Sequence, residues 1–352
     1  MDRSGGEDTA PETLGDLGEW ELIRRLGSFA PEHQFSDDAA LLSAAAPGEG
    51  HLVINTDVLV EGIHFSDATT GAADVGWRAA AANLSDLAAM GCSTVVGLTV
   101  GLVAPAATPW PWVKEVYGGL TSVLERYGGV LLGGDCSGGA QRLLAITALG
   151  RLPIAGGPIR RSDGLPGDVL VCTGLHGLSR LGLGLLQGEL HLPATEGGDP
   201  ALPDLAARAI AAHRRPRPRL DAVHNLIASR PAQLPWRVAG CDSSDGLAAA
   251  VRAIAAASGC GAVLDRGRLP LDGAMVALPQ AEAWCLGGGE DFELVLALPG
   301  AWAEALVTTL PDSRPFGELT AGNPGDLLWS SGGEVKAACR GYQHFHRMLP
   351  VP

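Results

Sequence analysis

HLVINTDVLVEGIHF, residues 51–65, opens with a β-branched apolar run of the kind that forms a buried strand. The run brings Asn55, Thr56 and Asp57 close to the strand's end. An Ala-rich helical segment follows, DVGWRAAAANLSDLAAMG (74–91), closed by Gly91. Strand then helix is the unit of an α/β fold, and the alternation continues outward. TVVGLTVGLV (94–103) reads as a second strand and WPWVKEVYGGLTSVLERYG (110–128) as a long helix. VLLGGDCSGG (130–139) reads as a strand entering a Gly-rich turn, and LLAITALGRL (143–152) as another strand. Upstream, GEWELIRRL (18–26) carries Trp20, Ile23 and Leu26 at helical spacing, with Leu22 alongside. This half ends near residue 153.

A Gly/Pro-rich joint, IAGGPIRRSDGLPGD (154–168), leads to a second α/β half that starts at VLVCTG (169–174). Its segment TEGGDPALPD (195–204) reads as a polar, mobile loop. WRVAGCDSSDGLAAAVRAIAAASG (236–259) reads as strand, polar turn and helix, and LGGGEDFELVLALPG (286–300) as a Gly-rich turn running into a strand. No strict repeat is present, although NLSDLAA (83–89) in the first half is echoed by SSDGLAA (243–249) in the second.

The chain's 352 residues give room for two domains, and hydrophobic residues make up 46% of them, enough for well-buried cores. The formal net charge of −14 argues against nucleic acid or an anionic membrane surface as the main partner. Lys114 and Lys336 are the sole lysines, so cationic work falls to arginine. The seven cysteines are scattered, odd in number and without a CxxC pair, which disfavours a zinc site or a disulfide framework and points to a reducing cytoplasm. No apolar run is long enough to span a membrane. Residues 1–15 are polar and acidic, neither a signal nor a transit peptide, and read as a disordered lead-in.

Acidic residues gather at turns. Asp38, Asp57, Asp86, Asp135, Asp242, Asp245, Glu290 and Asp291 all lie at or beside expected strand ends, turns or helix starts, mostly with Gly, Ser or Thr neighbours. Ligands of open α/β folds collect where strand ends meet loops. Hard carboxylate oxygens there suit Mg²⁺, which keeps several waters and bridges protein carboxylates to substrate phosphates. Each feature has a plainer reading. Asp37–Asp38 can be a turn or helix cap, Asn83 and Asp86 can share a solvent-facing helix surface, and GGDCSGG can be a hairpin turn. His64 can be structural, and Arg161 can be an exposed joint residue or a fork donor to a nucleotide phosphate. Independent caps need not repeat one pattern, so the set as a whole favours metal and phosphate. No GxxxxGK[ST], GxGxxG, GxSxG or HExxH occurs, which excludes a Walker-type nucleotide site.

Taken in order, GEWELIRRL, SDDAALL (36–42), NTDVLVEGIHF (55–65), NLSDLAAMG (83–91), YGGL (117–120), GGD (133–135), RSDGLPGD (161–168), SSDGL (243–247), GGGEDFELV (287–295) and GYQHF (341–345) resemble the thiamine-monophosphate kinase family of the aminoimidazole-ribonucleotide-synthetase-like ATP-binding superfamily. The resemblance implies an α/β fold of α+β type with two domains, 16–153 and 154–352, the N-terminal half forming a homodimer interface. ATP and several Mg²⁺ ions would occupy a cleft between the halves. The implied activity is direct in-line transfer of the γ-phosphoryl group of ATP to thiamine monophosphate, giving thiamine diphosphate and ADP, the last step of thiamine diphosphate biosynthesis.

Position by position, the resemblance implies metal ligands at Asp38, Asn55, Thr56, Asp57, Asp86, Asp135, Asp242 and Asp245. It implies nucleotide contacts at Tyr117, Gly134, Asp135, Arg161 and Ser244, and substrate contacts at His64, Glu290 and Tyr342. A tyrosine face can stack on a cationic thiazolium ring. Asp38 would be held by Mg²⁺ shared with ATP and Asp86, with Asp37 as its capping partner. No acid or base catalyst is assigned, because an acceptor phosphate is already ionised at pH 7; charge stabilisation falls to Asp57, Asp86 and Asp245 through Mg²⁺. The sequence departs from the family pattern at Ser36 (usually Gly), Asn55 (usually Ser or Thr), Cys136–Gly139 (usually Thr-rich) and Ser243 (usually apolar). The rival readings are a sister enzyme, a hydrogenase-maturation-like partner protein and a non-catalytic binding module. Selenophosphate synthetases carry a reactive residue near the N-terminus, whereas here no Cys precedes Cys92; the maturation protein needs a terminal Cys, whereas this chain ends HRMLPVP.

Overall fold

The computed structural model describes residues 13–33, 35–42, 50–192 and 201–336. Tyr342 with its GYQHF segment, and the first twelve residues, lie outside the described residues. Helix α1 (Leu14–Leu26) precedes strand β1 (Ala40–Leu42), and β2 (Leu52–Val60) is followed by α2 (Ala72–Ala89). Then come β3 (Thr94–Ala104), α3 (Trp110–Tyr127), β4 (Val130–Gly138) and β5 (Leu143–Arg151). These strands form one sheet in the order β1-β2-β5-β3-β4, antiparallel except for the parallel β3–β4 pair joined by the α3 crossover. GGD at 133–135 belongs to the body of β4 and not to a turn, because pairing with β3 runs on to Gly138. Gly134 is needed there: a Cβ would lie 2.0 Å from the Val100 carbonyl oxygen.

The second half contains β6 (Val169–Cys172), α4 (Leu178–Leu186), α5 (Ala201–Arg214), α6 (Leu220–Ser229), β7 (Ala239–Asp242) and α7 (Leu247–Ala257). It continues with β8 (Gly261–Leu264), α8 (Ala281–Gly287), β9 (Leu294–Leu298), α9 (Gly300–Thr309), β10 (Arg314–Thr320) and β11 (Leu327–Trp329). Its six-stranded sheet has the order β11-β8-β10-β6-β9-β7. Residues 201–204, expected in a loop, begin α5.

The Ala-rich run makes sense once packing is seen. Helix α2 lies on β2 and β5 and also touches β7, α5 and α6 of the second half. Its polar residues Arg78, Asn83 and Ser85 are buried together with its alanines. A helix enclosed on all sides cannot be amphipathic, and small side chains let neighbours approach from every direction. One continuous core joins Val53, Leu84, Leu98 and Ile146 to Val223, Leu296 and Trp302 across the two halves. A second core, with Leu170, Val251 and Phe316, packs the opposite face of the second sheet. Truncating such a core leucine to alanine costs about 2–5 kcal/mol. The face of the first sheet turned away from α2 is open, with Val58, Val130 and Leu132 exposed.

Candidate active site

Asp38 arrives just before β1, Asp86 from the C-terminal half of α2, and Asp242 as the last residue of β7. One carboxylate oxygen from each lies within 4.8 Å of the others. The frame holding them is specific. Asn55 Nδ2 donates to Asp86 Oδ2 at 2.6 Å and to Asn83 Oδ1 at 3.2 Å. Asn83, fully buried, accepts from the Asp57 N–H at 3.2 Å and donates to the Ala79 carbonyl at 2.8 Å. Asp242 accepts from Ser85 Oγ at 2.7 Å and Ser244 Oγ at 2.8 Å. The Arg161 guanidinium donates to Asp38, while the Arg161 N–H donates to Asp37 Oδ1 at 2.9 Å, which makes Asp37 a cap on the joint's 3₁₀ turn.

These carboxylates are crowded with like charge. Burial pushes Asp38 up to about 7, against the pull of Arg161 and with the push of Asp242. Burial and Asp242 push Asp57 up to about 6. Asp86 is raised well above the usual range by burial and then by Asp57, Asp242 and Asp38. Such a cluster favours protons or a cation. The residues present fit a divalent metal: all donors are hard oxygens, and Asn55 Oδ1 is buried with no hydrogen-bond partner. Asn55 and Asp57 project from β2 toward α2, in register with buried Ala148 and Ile146 of β5.

Not every expected site residue joins this cluster. Thr56 points to the opposite sheet face, where its hydroxyl meets Thr147 Oγ1 at 2.8 Å; strand alternation separates it from Asn55 and Asp57. Asp135 sits on the edge strand β4, three strand spacings (~14 Å) from β2. It pairs with Gly101, one position out of phase with the Asp57–Ile146–Val100–Gly134 row, and so faces the open side. Tyr117 on α3 lies electrostatically within reach of Cys136, at this same edge. The implied nucleotide contacts therefore fall into two groups: Arg161 and Ser244 at the cluster, Tyr117, Gly134 and Asp135 at the edge. Asp245, exposed in the turn after β7, lies within electrostatic reach of Asp242, Arg161 and Glu19 of α1.

His64 lies in the turn after β2, its Nδ1 accepting from the Val60 N–H at 3.0 Å. Glu290 precedes β9 and is held by Arg78 of α2 and His213 of α5. Arg78, Ser85 and His213 were not singled out from sequence. The available signal was a charged and a hydroxyl residue inside an otherwise alanine-rich helix.

Fold and site together define the AIR synthase related class: residues 36–152 match the family model of the AIR synthase related protein, N-terminal domain. The thiamine-monophosphate kinase of Prochlorococcus marinus is 44% identical over 96% of this chain and 99% of its own length. That of Synechococcus elongatus is 47% identical over 95% of this chain and 98% of its own. A solved structure, AaThiL complexed with AMPPCP and TMP, superposes with a TM-score of 0.79 at 25% identity, covering 96% of this chain and all of that one. The chain belongs to the thiamine-monophosphate kinase family.

Proposed function

We infer that this chain transfers the γ-phosphoryl group of ATP to thiamine monophosphate, giving thiamine diphosphate and ADP. The observation that carries the reading is the meeting of Asp38, Asp86 and Asp242 from three distant segments, in a relative of named kinases. A related structure holds an ATP analogue and TMP together, which supports the pairing of co-substrate and acceptor.

The proposed metal is Mg²⁺, with Asp38, Asp86 and Asp242 as ligands and Asn55 and Asp57 beside them. Bound there, it would neutralise phosphate charge and align donor with acceptor. Arg161, paired with Asp38, is the proposed fork donor to a nucleotide phosphate. Ser85, Ser244 and Asn55 hold the carboxylate oxygens in fixed directions, so that little reorganisation is needed during transfer. The acceptor phosphate oxygen is ionised at pH 7, and no side chain is assigned as base.

The open sheet face, with Val58, Val130 and Leu132 exposed by 43, 58 and 48%, supports the proposal of a homodimer through the first sheet. Of the edge group, Asp135 faces that open side. The six described cysteines are unpaired, in keeping with a proposed cytoplasmic location. No described helix is long and apolar enough to cross a membrane.

The test is a coupled ADP-release assay with ATP, Mg²⁺ and thiamine monophosphate, with thiamine diphosphate followed by chromatography. Metal-dependent product is expected. ATP binding without product would move the acceptor to a sister enzyme's substrate.

A further inference from the structure

Among the polar contacts that tie helix α2 to the second half, those of Arg78 and Ser85 share one face, while Trp77 and Asp74 of the same helix meet Pro216 and Arg215. Arg78 and Ser85 are seven residues apart, two turns or ~10 Å along the axis, and leave the helix on the same side. Ser85 holds Asp242 of the acidic cluster. Arg78, 3% exposed, donates from Nη1 to the His213 main-chain oxygen and from Nη2 to Glu290 Oε1. Glu290 Oε2 faces His213 Nδ1 at 3.5 Å, and that nitrogen also lies 3.1 Å from Ser179 Oγ. Burial pushes His213 down to about 4, so its ring is neutral at pH 7 and Arg78 carries the positive charge of the clamp.

The loop so gripped is unusual. Glu290 and Phe292 have φ of 57° and 52°, a left-handed conformation that non-glycine side chains rarely adopt. Such backbone persists where surrounding contacts over-determine it, and it clusters at ligand clamps. The contacts are present: the Glu290 N–H donates to the Ser244 carbonyl at 2.6 Å, and Asp291 accepts from the Gly177 and Ser179 N–H groups at 2.7 and 3.1 Å. Yet the Glu290 side chain stays 32% exposed, open to a ligand on its free side.

We propose that Arg78, backed by His213, is a positioning residue for the acceptor: it holds the Glu290 carboxylate at a set distance from the acidic cluster. There Glu290 can accept from the amino group of the thiamine pyrimidine while the phosphate lies at the cluster. The proposal rests on the kinase reading and on Glu290 as a substrate contact.

A double-mutant cycle on the full chain tests it, with KM for each substrate, kcat and Tm measured for wild type, Arg78→Met, Glu290→Gln and the double variant. Each single variant is expected to raise KM for thiamine monophosphate about tenfold or more, with KM for ATP within about twofold of wild type. The double variant should be no worse than Glu290→Gln, because Arg78 acts through Glu290. Arg78→Lys, which keeps charge but loses the fork, should fall between and replaces Arg78→Met if the latter does not fold. An unchanged KM for thiamine monophosphate in a folded Arg78 variant, both KM values rising together, or full additivity in the double variant would overturn the positioning role while leaving the kinase reading standing. A wild type that does not phosphorylate thiamine monophosphate would overturn both.

Discussion

Two of the carboxylate-bearing places where helix α2 meets the second half are built in opposite ways. Around Asp38, Asp86 and Asp242 three carboxylates share a small volume, and Arg161 supplies the guanidinium beside them. At Glu290 a single carboxylate faces the buried Arg78. The first place gathers more negative charge than Arg161 balances, which is why a cation from outside is proposed for it. The second is balanced internally and holds its own geometry. Taking charge out of water is costly unless it is paired, and the unpaired case marks where a ligand belongs.

The contrast can be broken most severely at Asp86. Asp86→Asn is expected to lower kcat by about 10²-fold or more at saturating Mg²⁺, an effect of the size seen when an electrostatic contributor is removed. The same variant should melt higher than wild type in EDTA, because a buried repulsive charge is gone. Near-normal turnover would remove Asp86 from the metal set. The Glu290 clamp comes next, with a change of about tenfold confined to KM for one substrate.

A pH series sharpens the difference further. Asp38 and Asp57 are pushed up in the folded state to about 7 and about 6, from an unfolded value near 3.9. The folded state then binds more protons than the unfolded state between about pH 4 and 7, so stability falls as pH rises through that window. In EDTA, the Tm of wild type relative to Asp38→Asn should therefore decline from pH 4 to pH 7, and saturating Mg²⁺ should flatten the trend. A rising difference would contradict the charge crowding. The smallest expected effect is at Ser85. Ser85→Ala leaves one Asp242 oxygen without its donor and should cost about 1–3 kcal/mol in chemical denaturation, with a modest loss of metal affinity.

Much of this was legible before the fold was known, because the motifs carry their own geometry. NLSDLAAMG placed Asp86 on a helix near its end, and DSSDGL (242–247) placed Asp242 and Asp245 at a strand-to-helix turn. Thr56 was legible in principle: a strand that turns Asn55 and Asp57 toward α2 must turn the residue between them away. Asp135 was not, because its distance depends on strand order. The insertion of β5 between β2 and β3 sends β4 to the sheet's edge, and nothing local in GGD encodes that. Arg78 was hidden for a related reason. A lone arginine in a helix reads as a solvated face until the second half is seen to enclose that helix. In the second sheet, β8 and β11 are four and three residues long, too short for a periodic signal to stand out.

The most direct test is calorimetric titration of the metal-stripped protein with Mn²⁺ at pH 6.5, in buffers of different ionisation enthalpy, for wild type and Asp86→Asn. Wild type should bind Mn²⁺ and release protons, because Asp38, pushed up to about 7, enters the measurement partly protonated, and burial with its acidic neighbours raises Asp86 well above the usual carboxylate range. Asp86→Asn should bind at least about tenfold more weakly and release fewer protons. Equal affinity and equal proton release in the two proteins would mean that the cation sits elsewhere, and that the acidic cluster is not the metal centre of the phosphoryl transfer.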